Sequence, residues 1–474
     1  MKQWKNKFIG DKNFYKRVML IAIPVMVQNG ITNFVSMLDN IMVGQIGTDQ
    51  MSGVAIVNQL MFVFNICIFG SISGPGIFGA QYYGKGDYEG VKSIFRAKIW
   101  IAGVITLIGM AVFWFCSEDL IQLYLHEGGE VGNLENTLIF AKQYLLIMLI
   151  GLVPFSVSQI YSSTLRECGE TIVPMIAGVI AVLVNLGFNY VFIFGNFGAP
   201  RLGANGAAVA TVISRVIECI IVVSWTHKKK EKNPFIYGVY QSLKVPKKIA
   251  MEVLKKGSPL LMNEALWAAG TAVIMQCYAY RGLTAVAAFN ITSTINNVFN
   301  VVFIALGSSI SIILGQLLGA GKLEEAKDSA TKLVTFSVVS CIFVAGVMTL
   351  FSGIFPSIYQ TETVVKELAT RLIVVAACSL PLQAFTNASY FTLRSGGKTF
   401  VTFLFDSVYV WVIMIPLAYV LSKYTSLSTV LVYLMVQGSE FFKCCIGFKM
   451  VKSGVWIVNI VVAEDEIQNG NNWF

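Results

Sequence analysis

The sequence predicts an all-α polytopic membrane protein with twelve transmembrane helices in two six-helix bundles, and three observations predict this fold. Of 474 residues, 55% are hydrophobic and only 13% are charged, about half of the roughly 25% found in soluble domains. The apolar residues gather in long segments, and motifs of the first half recur in the second. So few charges cannot cover a water-facing surface, which excludes a soluble enzyme. The net charge of +9 does not indicate a nucleic-acid partner, because Lys and Arg flank the apolar segments.

The apolar segments have the length of membrane-spanning helices. Such a helix needs about 20 mostly apolar residues. The alternating pattern of a β-barrel is absent, so the spans are helical. The twelve predicted spans cover residues 18–43, 51–78, 99–116, 137–164, 173–194, 206–225, 258–280, 285–313, 333–353, 367–392, 400–421 and 428–450.

Loop charges predict the orientation of these spans. The loop at 118–136 contains five acidic residues and no Lys or Arg, whereas the N-terminal tail and the stretch 227–256 are basic. By the positive-inside rule, both termini are expected in the cytoplasm, with the chain in the plasma (inner) membrane. The stretch 227–256 is interpreted as a linker that lies near anionic lipid. The acidic residues are Glu118, Asp119, Glu127, Glu130 and Glu135, and the basic residues of the tail are Lys2, Lys5, Lys7, Lys12, Lys16 and Arg17.

An internal repeat divides the chain into halves. QYYGKGDYEGVK (81–92) recurs as QLLGAGKLEEAK (316–327), and TLRECGET (164–171) recurs as TLRSGGKT (392–399). Each half holds six helices, an even number, so the halves share one orientation and a pseudo-two-fold axis runs along the membrane normal. We therefore expect an N-lobe at 1–226, a basic cytoplasmic linker at 227–256, a C-lobe at 257–454 and a cytoplasmic C-terminal tail at 455–474.

This architecture favours a secondary carrier that works by alternating access between the two halves. The chain has no Walker A motif, so ATP is not the direct energy source. An ion gradient is the remaining driving force. No nucleophile or nucleotide constellation lies in the spans, and neither CxxC nor Cys/His zinc spacing occurs among the nine cysteines. We expect no enzyme activity and no cofactor. No feature requires an oligomer, so a monomer is expected.

Carboxylates within the spans are the main candidates for ion coupling, because each costs at least about 2.5 to 3.5 kcal/mol to insert. Five such carboxylates are candidates, and two of them have a basic residue three positions away: Glu218 with Arg215, and Glu440 with Lys443. These two pairs are interpreted as structural. The other three have no basic residue at helical spacing and are the better functional candidates: Asp39, Glu264 and Asp406.

Helical rise places one of these acids among polar residues of the first half. At 1.5 Å per residue, Asp39 lies about 33 Å from Arg17, in the outer half of the membrane. Asn185 and Asn189 reach a similar depth one turn apart, and Thr211 enters from the outer side. One carboxylate, two amide oxygens and a hydroxyl could bind Na⁺, and the carboxylate alone could bind a proton. An inter-helix hydrogen-bond cluster without an ion is the alternative. No other metal site is predicted.

The second half offers further candidates. Glu264, with Asn263 beside it, is interpreted as a proton or cation site or as a counter-charge for a cationic substrate, and Asp406 is a further candidate. Aromatic, Met and amide side chains suit bulky organic cations. Candidates for a substrate cavity are Gln28, Trp267, Met275, Tyr278 and Asn290.

Several motifs resemble the multidrug and toxic compound extrusion (MATE) family over nearly the whole chain. They include LDNIMVGQIG (38–47), the two Q-x-x-G-x-G loops, NLGFNYVFIFG (185–195) and GANGAAVAT (203–211). The resemblance implies a twelve-helix antiporter that exports drug-like, often cationic compounds in exchange for H⁺ or Na⁺, with an N-lobe cation site at Asp39, Asn185, Asn189 and Thr211. The family commonly has Asp where Asn189 stands, so this site has one carboxylate instead of two.

The leading interpretation is therefore a cation-coupled multidrug antiporter. The alternative is a flippase of lipid-linked precursors from the same broad superfamily. The two differ in the cavity, since a flippase often carries extra helices and a more cationic cavity for phosphate head groups. Here the basic residues lie mostly in the predicted cytoplasmic loops.

Overall fold

The computed structural model describes residues 8–124, 134–359 and 361–461. Three of the predicted topology-setting lysines, Lys2, Lys5 and Lys7, lie outside this range. Glu127 and Glu130 of the acidic loop, and most of the predicted tail 455–474, also lie outside it.

Twelve long helices form the described part of the chain, and no β-strand occurs there. They are α1 (Lys12–Gly44), α2 (Thr48–Lys85), α3 (Tyr88–Phe115), α4 (Leu134–Ile150 continuing as Leu152–Glu167), α5 (Ile172–Phe194), α6 (Ala204–Lys228), α7 (Lys247–Ala279), α8 (Leu283–Gly319), α9 (Leu323–Leu350), α10 (Thr363–Ser395), α11 (Thr399–Tyr424) and α12 (Thr429–Ser453). Short helical turns lie at Ser117–Gln122, Asn196–Gly198, Pro234–Ile236 and Ile354–Ser357.

Ten of these helices are each long and apolar enough to cross a membrane, and α4 is an eleventh such span with a 46° bend. The remaining helix, α7, is 33 residues long, but Asn263 and Glu264 interrupt its apolar stretch. A polar pair in the middle of a long helix needs neighbours that satisfy it. The predicted all-helical, multi-span fold is confirmed.

The repeat extends from sequence to backbone geometry. Gly86 and Gly321, which occupy the same place in the two Q-x-x-G-x-G motifs, have φ values of 81° and 73°. Gly169 and Gly397, equivalent positions of the TLR motifs, have 84° and 72°. Because a side chain disfavours positive φ, glycine at these positions allows the same turn after corresponding helices of both halves.

The chain divides into two compact units. Unit 1 contains the described residues of Met1–Met26, Ala80–Asp87 and Leu254–Phe474, and unit 2 contains those of Val27–Gly79 and Tyr88–Val253. The division falls within α1 and α2, so each of these helices contributes to both units. In α1 it lies two residues after Pro24, which removes one helical hydrogen bond.

Within unit 1, the two Q-x-x-G-x-G motifs pack directly against each other. A Cβ atom built on Gly84 would lie 2.0 Å from the Gln316 carbonyl oxygen, and one on Gly319 would lie 1.9 Å from that of Gln81. Each motif therefore provides a glycine that makes room for the other motif's backbone. The Gln81 amide also donates to Ser395 O at 2.9 Å, and its oxygen accepts from Ile460 N at 2.9 Å, so part of the predicted tail is packed.

Unit 2 contains a buried ion pair between α3 and α4. Lys98 Nζ donates to both carboxylate oxygens of Glu167 at 2.7 Å, and Lys98 is fully buried. A Cβ on Gly76 or Gly79 would approach a Glu167 oxygen to 2.7 or 2.2 Å. The two glycines of α2 thus leave the space that the carboxylate fills.

The stretch predicted as a linker packs against α3. Phe235 is only 1% exposed and contacts Phe95, with ring centroids 5.6 Å apart. Arg96 donates to Val239 O at 3.0 Å, and Trp100 donates to Leu243 O at 3.0 Å. Residues 235–243 are therefore held in unit 2 by apolar burial and by hydrogen bonds to the backbone.

Candidate functional site

Three helices of unit 2 bring together the polar residues that were predicted, from helical rise, to lie at a similar depth in the membrane. Asp39 lies near the end of α1, Asn185 and Asn189 lie one turn apart on α5, and Thr211 lies on α6. Spacing of four residues puts both asparagines on one face of α5. Asn185 and Asn189 are 7% and 1% exposed, while Asp39 is half-buried.

A continuous set of hydrogen bonds links all four side chains. Asn189 Nδ2 donates to Asp39 Oδ1 at 2.7 Å and to Asn185 Oδ1 at 3.2 Å, and the Asn185 amide lies 3.2 Å from Thr211 Oγ1. With the Asn185 amide turned over, Nδ2 donates to Asp39 Oδ2 at 2.8 Å and the amide oxygen accepts from Thr211. Either orientation keeps the two asparagines within reach of the carboxylate.

One oxygen of this group has no partner. Asn189 Oδ1 is buried and makes no hydrogen bond to any described residue. A buried acceptor without a donor is costly and is usually satisfied by water or an ion. Together with the Asp39 carboxylate, it gives the group free capacity for a small cation. We call these four residues the Asp39 group.

Tyr144 is a neighbour that sequence inspection did not select. It is 4% exposed on α4 and interacts electrostatically with Arg215 and Asp39. Its only sequence signal is a tyrosine within an apolar segment, which is far too common to single it out. A phenol therefore lies within electrostatic range of the Asp39 carboxylate.

In unit 1, the predicted residues of the second half form another polar group. Asn263 Nδ2 donates to Asp406 Oδ2 at 3.2 Å, and Ser407 Oγ donates to Asn263 Oδ1 at 2.7 Å. Asn263 is 2% exposed. Glu264 interacts electrostatically with Arg394 and Asp406. Asn263 thereby joins α7 to α11, and Glu264 faces a cation from α10.

The expected charge pairing in this group was wrong. Asp406, which has no basic residue at helical spacing on its own helix, accepts from Lys443 Nζ of α12 at 2.7 Å. Lys443 was assigned to Glu440, but no Glu440–Lys443 ion pair forms within 4.0 Å. Sequence spacing favoured the i,i+3 partner, whereas the ammonium bonds across helices, because α11 carries its carboxylate to the same depth.

The other predicted pair is also not formed at contact distance. Arg215 and Glu218 make no ion pair within 4.0 Å; the guanidinium lies over the Phe155 ring, 5.0 Å from its centroid. A second arginine, Arg166, donates to Gln28 Oε1 at 3.0 Å. The side-chain oxygen of Gln28, a predicted cavity residue, therefore accepts a hydrogen bond from an arginine.

The other candidates for a substrate cavity do not share one environment. Trp267 is 43% exposed, Met275 is half-buried and Asn290 is exposed. Tyr278 is buried in an apolar core, stacked on Phe289 with centroids 4.3 Å apart. A cavity of about 200 Å³ in unit 2, between Ile46, Gln50, Phe140 and residues 201–205, includes none of them.

The described ranges contain no cluster of three or more Asp, Glu, Cys or His side chains that could bind a metal ion. The Asp39 group differs from such a site, because it has one carboxylate and relies on amide and hydroxyl oxygens. That ligand set suits a monovalent cation or a proton better than a transition metal.

Comparison with known proteins gives matches over both halves. The family model MatE matches residues 24–191 and 259–420. "Probable multidrug resistance protein NorM" of Thermotoga maritima is 23% identical over 454 residues, covering 96% of this chain and 95% of that protein. "Probable multidrug resistance protein YoeA" of Bacillus subtilis is 24% identical over 423 residues, covering 87% and 88%.

Solved structures share the fold. A multidrug resistance MATE family transporter of the MOP superfamily, in an outward-facing conformation, superposes with a TM-score of 0.82 at 17% identity, covering 96% of this chain and 98% of that one. A MOP superfamily transporter from Pyrococcus furiosus gives a TM-score of 0.81 at 17% identity, with the same coverage.

Proposed function

Because this chain belongs to the MatE family and is an integral membrane protein, we propose that it is a secondary active antiporter for multidrug efflux. It exports drug-like, cationic organic compounds in exchange for H⁺ or Na⁺, by alternating access. Its relatives are named as multidrug resistance proteins, which supports an organic substrate. The carboxylate in the Asp39 group supports the exchange for a cation.

The observation that carries the proposal is the free binding capacity at Asp39. The carboxylate accepts one hydrogen bond from Asn189 at 2.7 Å, and the buried oxygen of the same asparagine has no hydrogen-bond partner among the described residues. A proton would neutralise the carboxylate. Na⁺ would instead be held by oxygens of Asp39, Asn185, Asn189 and Thr211. Each cation that moves inward releases about 2.3 kcal/mol per 100 mV of membrane potential.

The proposed setting follows from charge distribution. The protein lies in the plasma (inner) membrane. Both termini lie in the cytoplasm, since the N-terminal tail and the stretch 227–256 are basic. It acts as a monomer, without a cofactor. Unit 1 adds Glu264, Asn263 and Asp406 as a second set of groups for protons or cationic substrate. Aromatic side chains such as Trp267 contribute cation–π contacts.

Transport in reconstituted vesicles tests the coupling role of Asp39. Purified protein is placed in liposomes loaded with ethidium, and dye movement is followed under an imposed pH gradient or Na⁺ gradient, each applied separately. Wild type is expected to respond to one of the two. Asp39→Asn keeps the shape of the side chain but removes its charge, so gradient-driven transport should fall to the level of protein-free liposomes.

The matched control is Asp328→Asn. Asp328 is an acidic residue in an exposed i,i+4 pair with Lys332, and such pairs contribute little. This variant should transport like wild type. Full-rate, gradient-driven efflux by Asp39→Asn would remove Asp39 from the coupling role. Lipid scrambling that small organic cations do not affect would favour a flippase instead.

A further inference from the structure

Asp406, Lys443 and Glu440 form a charged group in unit 1, at a place where two helices depart from regular α-helical geometry. Lys443 and Glu440 are buried, and Asp406 is half-buried. Asp406 lies in a π-helical stretch, Leu404–Val408. The regular turns of α12 are interrupted at Ser439, directly before Glu440. Tyr409 OH donates to Ser439 O at 2.6 Å and fixes this interruption. Local widening of a helix is frequent at functional sites.

The group contains two carboxylates and one ammonium, which contacts Asp406. Lys443, 5% exposed, donates to Asp406 Oδ1 at 2.7 Å. Glu440 is 8% exposed, and its Oε2 is buried without a hydrogen-bond partner in the described chain. When all three residues are ionised, the group has one negative charge in excess. A buried carboxylate oxygen without a donor is costly, so the group favours taking up one positive charge.

Other charged and titratable side chains around the group do not remove this excess. The second carboxylate oxygen of Asp406 is held by the neutral Asn263 amide at 3.2 Å. Glu264 and Arg394, an acid and a base, interact electrostatically and add no net charge when both are ionised. The facing groups are Glu264 on α7, Tyr390 and Arg394 on α10, Tyr409 on α11 and Cys444 on α12.

We propose that Asp406, Lys443 and Glu440 bind one proton as a unit, on the Glu440 carboxylate. With the proton on a Glu440 oxygen, Lys443 stays bonded to Asp406 at 2.7 Å. The proton would satisfy the enclosed carboxyl, because Glu440 Oε2 is buried without a donor among the described residues. This inference rests on the proposed cation antiport, to which it adds a proton site in unit 1.

Infrared spectroscopy of the purified full-length protein tests proton binding without transport. The C=O stretching band of carboxylic acids is recorded as the pH is raised. Wild type should show a band component that disappears on titration, and Glu440→Gln should lose that component. Lys443→Met leaves two carboxyls without an ammonium, and the amplitude of the component should about double. The exposed Glu324→Gln should keep it unchanged.

A component that survives in Glu440→Gln and does not grow in Lys443→Met overturns the inference. Thermal unfolding of each variant identifies those that do not fold, and the two substitutions act in opposite directions on the band. In vesicles, Glu440→Gln should move one proton fewer per exported dye molecule than wild type. If wild type itself shows no cation-driven efflux, the proposed antiport fails, while the infrared titration still decides the proton group. Coupled wild-type efflux with an unchanged Glu440→Gln band and proton count refutes the proton group alone.

Discussion

The reciprocal packing of the two Q-x-x-G-x-G motifs makes Gly319→Ala a sharp test of the fold. The added Cβ would lie 1.9 Å from the Gln81 carbonyl oxygen. Real contacts of this kind stay above 3.0 Å, so the two backbones must separate by about 1.1 Å. The obstacle is backbone and cannot rotate away as a side chain could. Overpacking of this type costs about 1 to 3 kcal/mol.

The control is a glycine with free space around it. Gly346 lies within α9, and no atom of the described part of the chain comes within 4 Å of a Cβ built on it. Alanine is the better helix former, so Gly346→Ala should stabilise the protein by about 0.5 to 1 kcal/mol. Without the clash, Gly319→Ala would bring a similar gain. The two variants should therefore differ in stability by the cost of the clash, about 1 to 3 kcal/mol.

Thermal unfolding of the purified protein in detergent, followed by tryptophan fluorescence, measures this difference. Gly319→Ala should unfold below wild type and Gly346→Ala at or above it. The double variant Gly84→Ala/Gly319→Ala should lose less than the sum of its single losses, because one separation of the backbones relieves both clashes. Equal unfolding temperatures for Gly319→Ala and Gly346→Ala would contradict the reciprocal contact.

Two further predictions concern buried charges. Lys98→Met leaves the Glu167 carboxylate buried without its ammonium and should lower the free energy of unfolding by about 3 to 5 kcal/mol. The double variant Lys98→Met/Glu167→Met should recover part of that loss. Thermal unfolding measures both variants, and a double variant less stable than Lys98→Met argues against a stabilising ion pair. Asn189→Asp puts a second carboxylate beside Asp39, which favours a bound cation, so half-maximal efflux should need less of the coupling ion. The swap Asp39→Asn/Asn189→Asp retains one carboxylate and should regain part of the coupling lost in Asp39→Asn; a swap as inactive as Asp39→Asn would show that the position of the charge matters.

Much of the Asp39 group could be predicted from sequence, because the position of a residue along a membrane helix gives its depth. Each residue advances 1.5 Å along the axis, so counting from the basic ends gives the depth of Asp39, Asn185, Asn189 and Thr211. Polar residues at one depth in one bundle have few neighbours other than each other. The structure adds the orphaned oxygen of Asn189 and the presence of Tyr144, since neither side-chain rotation nor the spacing between helices follows from depth.

The sequence by itself determined the helical class, the helices and the repeat, since these depend on local apolar length and on glycine positions shared between the halves. Only the tertiary structure decided which charges meet. Lys443 bonds to Asp406 instead of Glu440, and Lys98 bonds to Glu167, 69 residues away. Partner choice across helices depends on how each helix is rotated and where it bends or widens, as in the π-helical stretch around Asp406. Those features arise from packing between distant segments, which local sequence spacing does not specify.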